Sequence, residues 1–172
     1  SKHPMGTARI LELSLSRCLL LVTDSPEHEL EFQALCTDMS HRCYLLYPDE
    51  QALPAGPELL AINTDLGGAQ QQKNVFILLD ATWRKAYGLL AASPLLQSLS
   101  KVQLSQQHQG RYKVRSTSVA GGLSTVEAAA HLLSALAGKD CANSKYQSLL
   151  TSLDKMVDFQ LSQMPDNIKL RY

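Results

Sequence analysis

The sequence predicts an α/β fold, a single domain over residues 1–172 with a mainly parallel sheet and helices on both faces. Three observations carry this. Short apolar runs at residues 18–24, 43–48 and 74–80 each end on a polar residue or a proline, as strands buried on both faces do. Helical patterns alternate with these runs, which is the mark of crossover connections between parallel strands. A length of 172 residues with 45% hydrophobic side chains suits one sizeable core.

The elements follow in order. Cys18-Leu19-Leu20-Leu21-Val22-Thr23-Asp24 reads as a first strand, and Glu27 to Met39, with Leu30, Ala34 and Leu35, as an amphipathic helix. Cys43 to Pro48 is a second strand. Residues 49–72 hold two prolines, two adjacent glycines and three consecutive glutamines, and read as a long surface loop. Asn74 to Asp80 is a third strand, Trp83 to Ala92 a helix ended by Ser93-Pro94, and Lys101 to Leu104 a further strand. Ser124-Thr125-Val126-Glu127 matches the capping box, in which a hydroxyl and a glutamate satisfy each other's backbone amides at a helix start. Ser144 and Gln147 repeat that spacing before a long helix whose apolar stripe is Tyr146, Leu149, Leu150, Leu153, Val157, Leu161 and Met164.

Composition excludes several classes. No apolar stretch reaches the roughly 18–20 residues of a membrane span. Cys18, Cys36, Cys43 and Cys141 form no CxxC pair, so neither a zinc knuckle nor a disulfide framework is expected, but reduced, mostly buried thiols in a cytosolic protein. The chain opens Ser1-Lys2-His3-Pro4 without a signal-peptide pattern, which suggests a trimmed chain. Net charge is zero, yet residues 24–65 hold nine Asp and Glu against Arg42, and residues 66–145 hold nine Lys and Arg against Asp80, Glu127 and Asp140. A basic surface is compatible with the neutral sum.

The segment Asp80-Ala81-Thr82-Trp83 is the most informative, since an apolar strand ends there on a carboxylate and a helix begins at the only tryptophan. Open α/β sheets place ligands at such carboxyl ends. The plainer reading makes Asp80 or Thr82 a helix cap and Trp83 a core residue. Gly121-Gly122 before the helix start at Ser124 lets a ligand approach free amides, although the capping box explains Ser124 and Glu127 without one. Arg111, Lys113 and Arg115 share one face of an extended strand, either as a solvated face or as a phosphate-tracking stripe. No Gly-x-Ser-x-Gly or Gly-x-Gly-x-x-Gly pattern points to a hydrolase or a dinucleotide site.

Read together, Gly6-Thr7-Ala8-Arg9, Leu45-Leu46-Tyr47-Pro48, Leu79-Asp80-Ala81-Thr82-Trp83, Arg115 and Leu123-Ser124-Thr125-Val126-Glu127-Ala128 resemble the DTW-domain family, roughly from Gly6 to Leu136. Its bacterial members look like tRNA-uridine aminocarboxypropyltransferases. The resemblance implies a SPOUT-like fold with a C-terminal knot, S-adenosylmethionine as aminocarboxypropyl donor, and N3 of a tRNA uridine as acceptor. With the cysteine usage, a cytoplasmic protein is expected, and a monomer is the expected state. Catalysis would fall to Asp80, Thr82 and Trp83, donor binding to Leu46, Tyr47, Pro48, Leu79, Asp80, Leu123, Ser124, Thr125 and Glu127, and RNA contact to Arg9, Arg111, Lys113 and Arg115. The cysteine-rich, zinc-binding segment and the His-Pro-x-Glu motif of full-length relatives are missing ahead of Gly6, so no metal is expected in this chain. A SPOUT-type methyltransferase and a non-catalytic RNA-binding module are the alternatives.

Overall fold

The computed structural model describes residues 7–61, 72–105 and 122–163. In chain order the elements are α1 (Ala8–Ser14), α2 (Pro26–Thr37), β1 (His41–Leu46), β2 (Leu53–Pro54), α3 (Glu58–Ala61) and β3 (Lys73–Ile77), then α4 (Trp83–Ala92), α5 (Pro94–Ser98), β4 (Ser100–Gln103), α6 (Thr125–Leu136) and α7 (Gln147–Ser162), with a 3₁₀ turn at Cys141–Asn143 before α7. The four strands form one all-parallel sheet in the order β2-β4-β1-β3. The expected α/β class and parallel sheet are therefore present. The expected knot is not traced by the described residues, since 106–121 and 164–172, Met164 included, lie outside them.

β1 and β4 are the inner strands of the described sheet, each paired on both flanks, and they carry its most buried residues, Tyr44, Leu45 and Val102. Tyr44 packs with Leu59, Val102, Leu132 and Leu136 and stacks on Phe76 at 5.3 Å between ring centroids. Cys43, pointing the other way, donates its thiol to the Leu35 carbonyl of α2 at 3.7 Å. Neighbouring strand residues face opposite sides, so α6 and α2 cover the two faces of β1. Helix α6 has a second apolar face, on which Val126, Ala129 and Ala130 meet Leu11 of α1 and Leu149, Leu150 and Leu153 of α7. It is thus the inner helix of the fold, held between the sheet and the α1/α7 pair.

Four local expectations need correction. Residues 18–24 form no strand: Leu19 and Val22 are 55% and 53% exposed. The places on either side of β1 belong to β3 and β4, and the Val22 amide donates to Nδ1 of His28 at 2.9 Å, which turns the chain directly into α2. Helix α2 starts earlier than read, at Pro26, because Ser25 caps it by accepting from the His28 amide. None of its residues is buried, and Leu30 is 67% exposed. The stretch read as a long loop holds β2 and α3. Pro54 is tolerated in β2 because that strand is at the sheet edge, and Leu59 anchors α3 in the core.

The fourth correction is the start of α7, which has no side-chain cap. Ser144 instead lies 2.7 Å from the Ser134 hydroxyl of α6 and accepts from the Tyr146 amide at 3.1 Å. Its capping-box spacing to Gln147 is used for a tie between helices. Three strand boundaries also shift: β1 begins at His41 and ends at Leu46, β3 ends at Ile77, and β4 runs from Ser100 to Gln103.

Candidate active site

Because the four described strands are parallel, their carboxyl ends emerge along one edge of the sheet, where such folds bind ligands. β1 runs out into Tyr47-Pro48, β3 into Leu78-Leu79-Asp80, and β4 into Leu104. Between them opens a cavity of about 270 Å³, lined by Leu46, Tyr47, Pro48, Leu78, Leu79, Ala81, Trp83, Ala86, Val102, Gln103, Leu104, Leu123, Thr125 and Ala128. The lining is largely apolar with a few polar groups, the usual make-up of a small-molecule site. Tyr47 is fixed to β4 by its amide, which donates to the Val102 carbonyl at 3.0 Å. Just beyond it, Lys101 donates to Asp49 at 2.6 Å. That bond, helped by the Gln51 amide, holds the Asp49 carboxyl below the usual carboxylate range.

The Asp80-Ala81-Thr82-Trp83 turn divides its work. Thr82 is the cap of α4, its hydroxyl accepting from the Lys85 amide at 3.4 Å. Asp80 is not a cap. Its carboxylate is exposed and accepts from the Thr125 hydroxyl at 2.6 Å, across the gap between β3 and α6. No other hydrogen bond of the Asp80 side chain is present among the described residues. Trp83 is 41% exposed and does not fill the core. It lines the cavity and meets Tyr47 edge to face, with ring centroids 6.1 Å apart.

The far wall is the start of α6, where the expected capping box is complete. Ser124 accepts from the Glu127 amide at 3.3 Å, and Glu127 accepts from the Ser124 amide at 2.7 Å. Glu127 is 1% exposed, and neither it nor Ser124 lines the cavity. Among Leu123, Ser124 and Thr125, the Ser124 amide is thus engaged. Those of Leu123 and Thr125 have no hydrogen-bond partner among the described residues, as expected just before and in the first turn of a helix.

Of the residues expected to bind a donor, Leu46, Tyr47, Pro48, Leu79, Leu123 and Thr125 line one cavity, and Asp80 joins it through Thr125. Leu78, Ala81, Ala86, Gln103, Leu104, Val102 and Ala128 were not foreseen there. Ala86 and Ala128 lie three residues along their helices from Trp83 and Thr125, a spacing that puts them on the same helix face. Gln103 and Leu104 end the strand beside β1, so the strand-end rule applied to every strand finds them. Arg9 sits apart on α1, exposed and paired with Glu12. Arg111, Lys113 and Arg115 lie outside the described residues.

All four cysteines are free, but the expectation of mostly buried thiols needs correction: only Cys141 is fully buried, and Cys18, Cys36 and Cys43 are partly exposed. Burial, with Cys43 alongside, pushes the Cys36 thiol up to about 12. No group of three His, Cys, Asp or Glu side chains converges among the described residues, and no described helix is long and apolar enough to cross a membrane.

Fold and site together define an α/β protein with a small-molecule cavity at the carboxyl edge of a parallel sheet, walled on one side by a capped helix start. The chain belongs to the DTW family, whose domain model matches residues 1–161. This bears out the resemblance read from the five motifs. Over 170 aligned residues it is 26% identical to a mouse protein named tRNA-uridine aminocarboxypropyltransferase 2, covering 93% of this chain and 53% of the mouse protein. A Drosophila melanogaster protein of the same name is 28% identical, with 93% of this chain and 60% of the fly protein covered. The chain therefore spans between half and three-fifths of the length of these curated relatives. No solved structure matches it significantly.

Proposed function

We propose that this chain transfers the 3-amino-3-carboxypropyl group of S-adenosylmethionine to N3 of a tRNA uridine and releases methylthioadenosine. The observation that carries the reading is the Asp80–Thr125 hydrogen bond beside the apolar cavity, which sets a carboxylate next to backbone amides that have no partner among the described residues. The names of the mouse and fly relatives support the reaction class. The cavity suits the donor: the rings of Tyr47 and Trp83 offer an aromatic setting for a purine, and the Leu123 and Thr125 amides suit a carboxylate.

A sulfonium activates all three carbons attached to it, so the group transferred is decided by which carbon is held in line with the nucleophile. Gripping the amino acid end at the start of α6 would direct attack to the side-chain carbon. The uridine N3–H gives its proton to the Asp80 carboxylate, N3 bonds to that carbon, and the carbon–sulfur pair passes to sulfur as the neutral thioether leaves. Thr125, donating to one Asp80 oxygen, orients the carboxylate and leaves the other oxygen for the uridine. Arg111, Lys113 and Arg115, with Arg9, keep the role of RNA contacts in this proposal. We assign it further to a SPOUT-like knotted fold, a cytoplasmic setting and a monomer.

Trp83, the only tryptophan, lines the cavity and reports on it directly. Titration with S-adenosylmethionine or methylthioadenosine is expected to change its emission saturably, with calorimetry giving the same affinity. A folded protein that shows neither signal has no donor site here.

A further inference from the structure

Helix α4, whose Trp83 and Ala86 line the cavity, carries features that its own stability does not explain. Arg84 and Lys85 stand in its first turn, where the helix dipole favours carboxylates, and α4 has no acidic residue there. Both side chains are exposed, and neither forms an ion pair among the described residues. Tyr87 is 67% exposed, one helical turn beyond Trp83 at the cavity wall. Gly88 lies mid-helix, one turn beyond Arg84, and a Cβ there would meet nothing within 4 Å. No packing contact among the described residues demands a glycine at that position, although glycine weakens a helix interior.

We infer that the exposed face of α4, formed by Arg84, Lys85, Tyr87 and Gly88, is where the RNA backbone lies as its base enters the cavity past Trp83. Two cations complement a polyanion, an exposed tyrosine ring offers a stacking surface for a base, and a side-chain-free turn lets a ribose-phosphate strand come close to the helix. These residues are other than Arg111, Lys113 and Arg115, which lie outside the described residues, and they belong to the same helix as the cavity residue Trp83. The inference rests on the proposed tRNA-modifying function, because a polyanionic substrate is what makes the arrangement favourable.

The test is filter binding of unfractionated tRNA to the full chain across a range of salt, with thermal melting and S-adenosylmethionine titration alongside. For the Arg84→Gln/Lys85→Gln double variant, tRNA affinity is expected to fall about tenfold, and the log–log salt slope by about 1.4–1.8 for two lost phosphate contacts. Its melting temperature should hold or rise, because two cations leave the positive end of a helix, and its donor affinity should match the parent's. Gly88→Ala should raise the melting temperature and still weaken tRNA binding, an opposition that a purely structural glycine would not produce. Should the double variant lose stability, Gly88→Ala decides: parental tRNA affinity there overturns the inference. Parental affinity and salt slope in the double variant overturn it while leaving the proposed function standing. A parent chain that binds no tRNA removes that function, and this inference falls with it.

Discussion

Asp80→Asn is expected to lower turnover in the proposed transfer reaction by about 10²-fold or more, as loss of a general base does. The substitution keeps the size of the side chain, and an amide oxygen still accepts from the Thr125 hydroxyl that now donates at 2.6 Å. Stability should hardly change, because Asp80 is exposed and the cap of α4 is Thr82. Donor affinity should also persist, since Asp80 is not among the cavity-lining residues. Single-turnover rates measured beside urea unfolding check this. A variant with the parental rate would leave Asp80 as a tie between β3 and α6 only, and one that unfolds would make it structural.

Glu127→Ala is expected to have the largest effect on stability, about 1.5–3 kcal/mol, the worth of a hydrogen bond to a charged group. Glu127 is buried and accepts from the Ser124 amide at 2.7 Å, so truncation leaves that amide without its acceptor and empties space at the start of α6. Because α6 packs on both the sheet and the α1/α7 pair, its first turn also fixes where Leu123 and Thr125 stand. Urea midpoints at unchanged slope measure the loss. Glu127→Gln, which keeps the acceptor, should retain most of the stability and bind the donor as the parent does. A folded Glu127→Gln protein with no donor affinity would instead return Glu127 to direct donor binding, as the motif alone implied.

What the sequence made legible was local. A strand closing on Asp80, a threonine one helical turn ahead of an amide, and a serine three residues before a glutamate are signals contained in a few neighbouring residues. Two turns around the cavity, Asp80–Trp83 and the start of α6 at Ser124, were found this way. Tertiary competition decided the rest. Leu19 to Val22 has the composition of a strand, but β3 and β4 occupy both flanks of β1. Ser144 has the spacing of a cap, but its hydroxyl meets Ser134 of a different helix. The division of labour at the Asp-x-Thr-Trp turn was equally hidden, because Asp80 and Thr82 are both good caps and only the position of Thr125, 45 residues away, separates them. The alanines of the cavity wall carry no chemical signal at all and are found only once the helices are placed.

The central claim is the identity of the group transferred, and product analysis tests it most directly. The complete protein would be incubated with tRNA and S-adenosylmethionine labelled in its amino acid carbons, and both the nucleoside pool and the small-molecule products identified by mass. The expected result is methylthioadenosine released in step with a labelled uridine carrying the aminocarboxypropyl group. S-adenosylhomocysteine with a methylated nucleoside, or no product from a protein that binds both substrates, would contradict it.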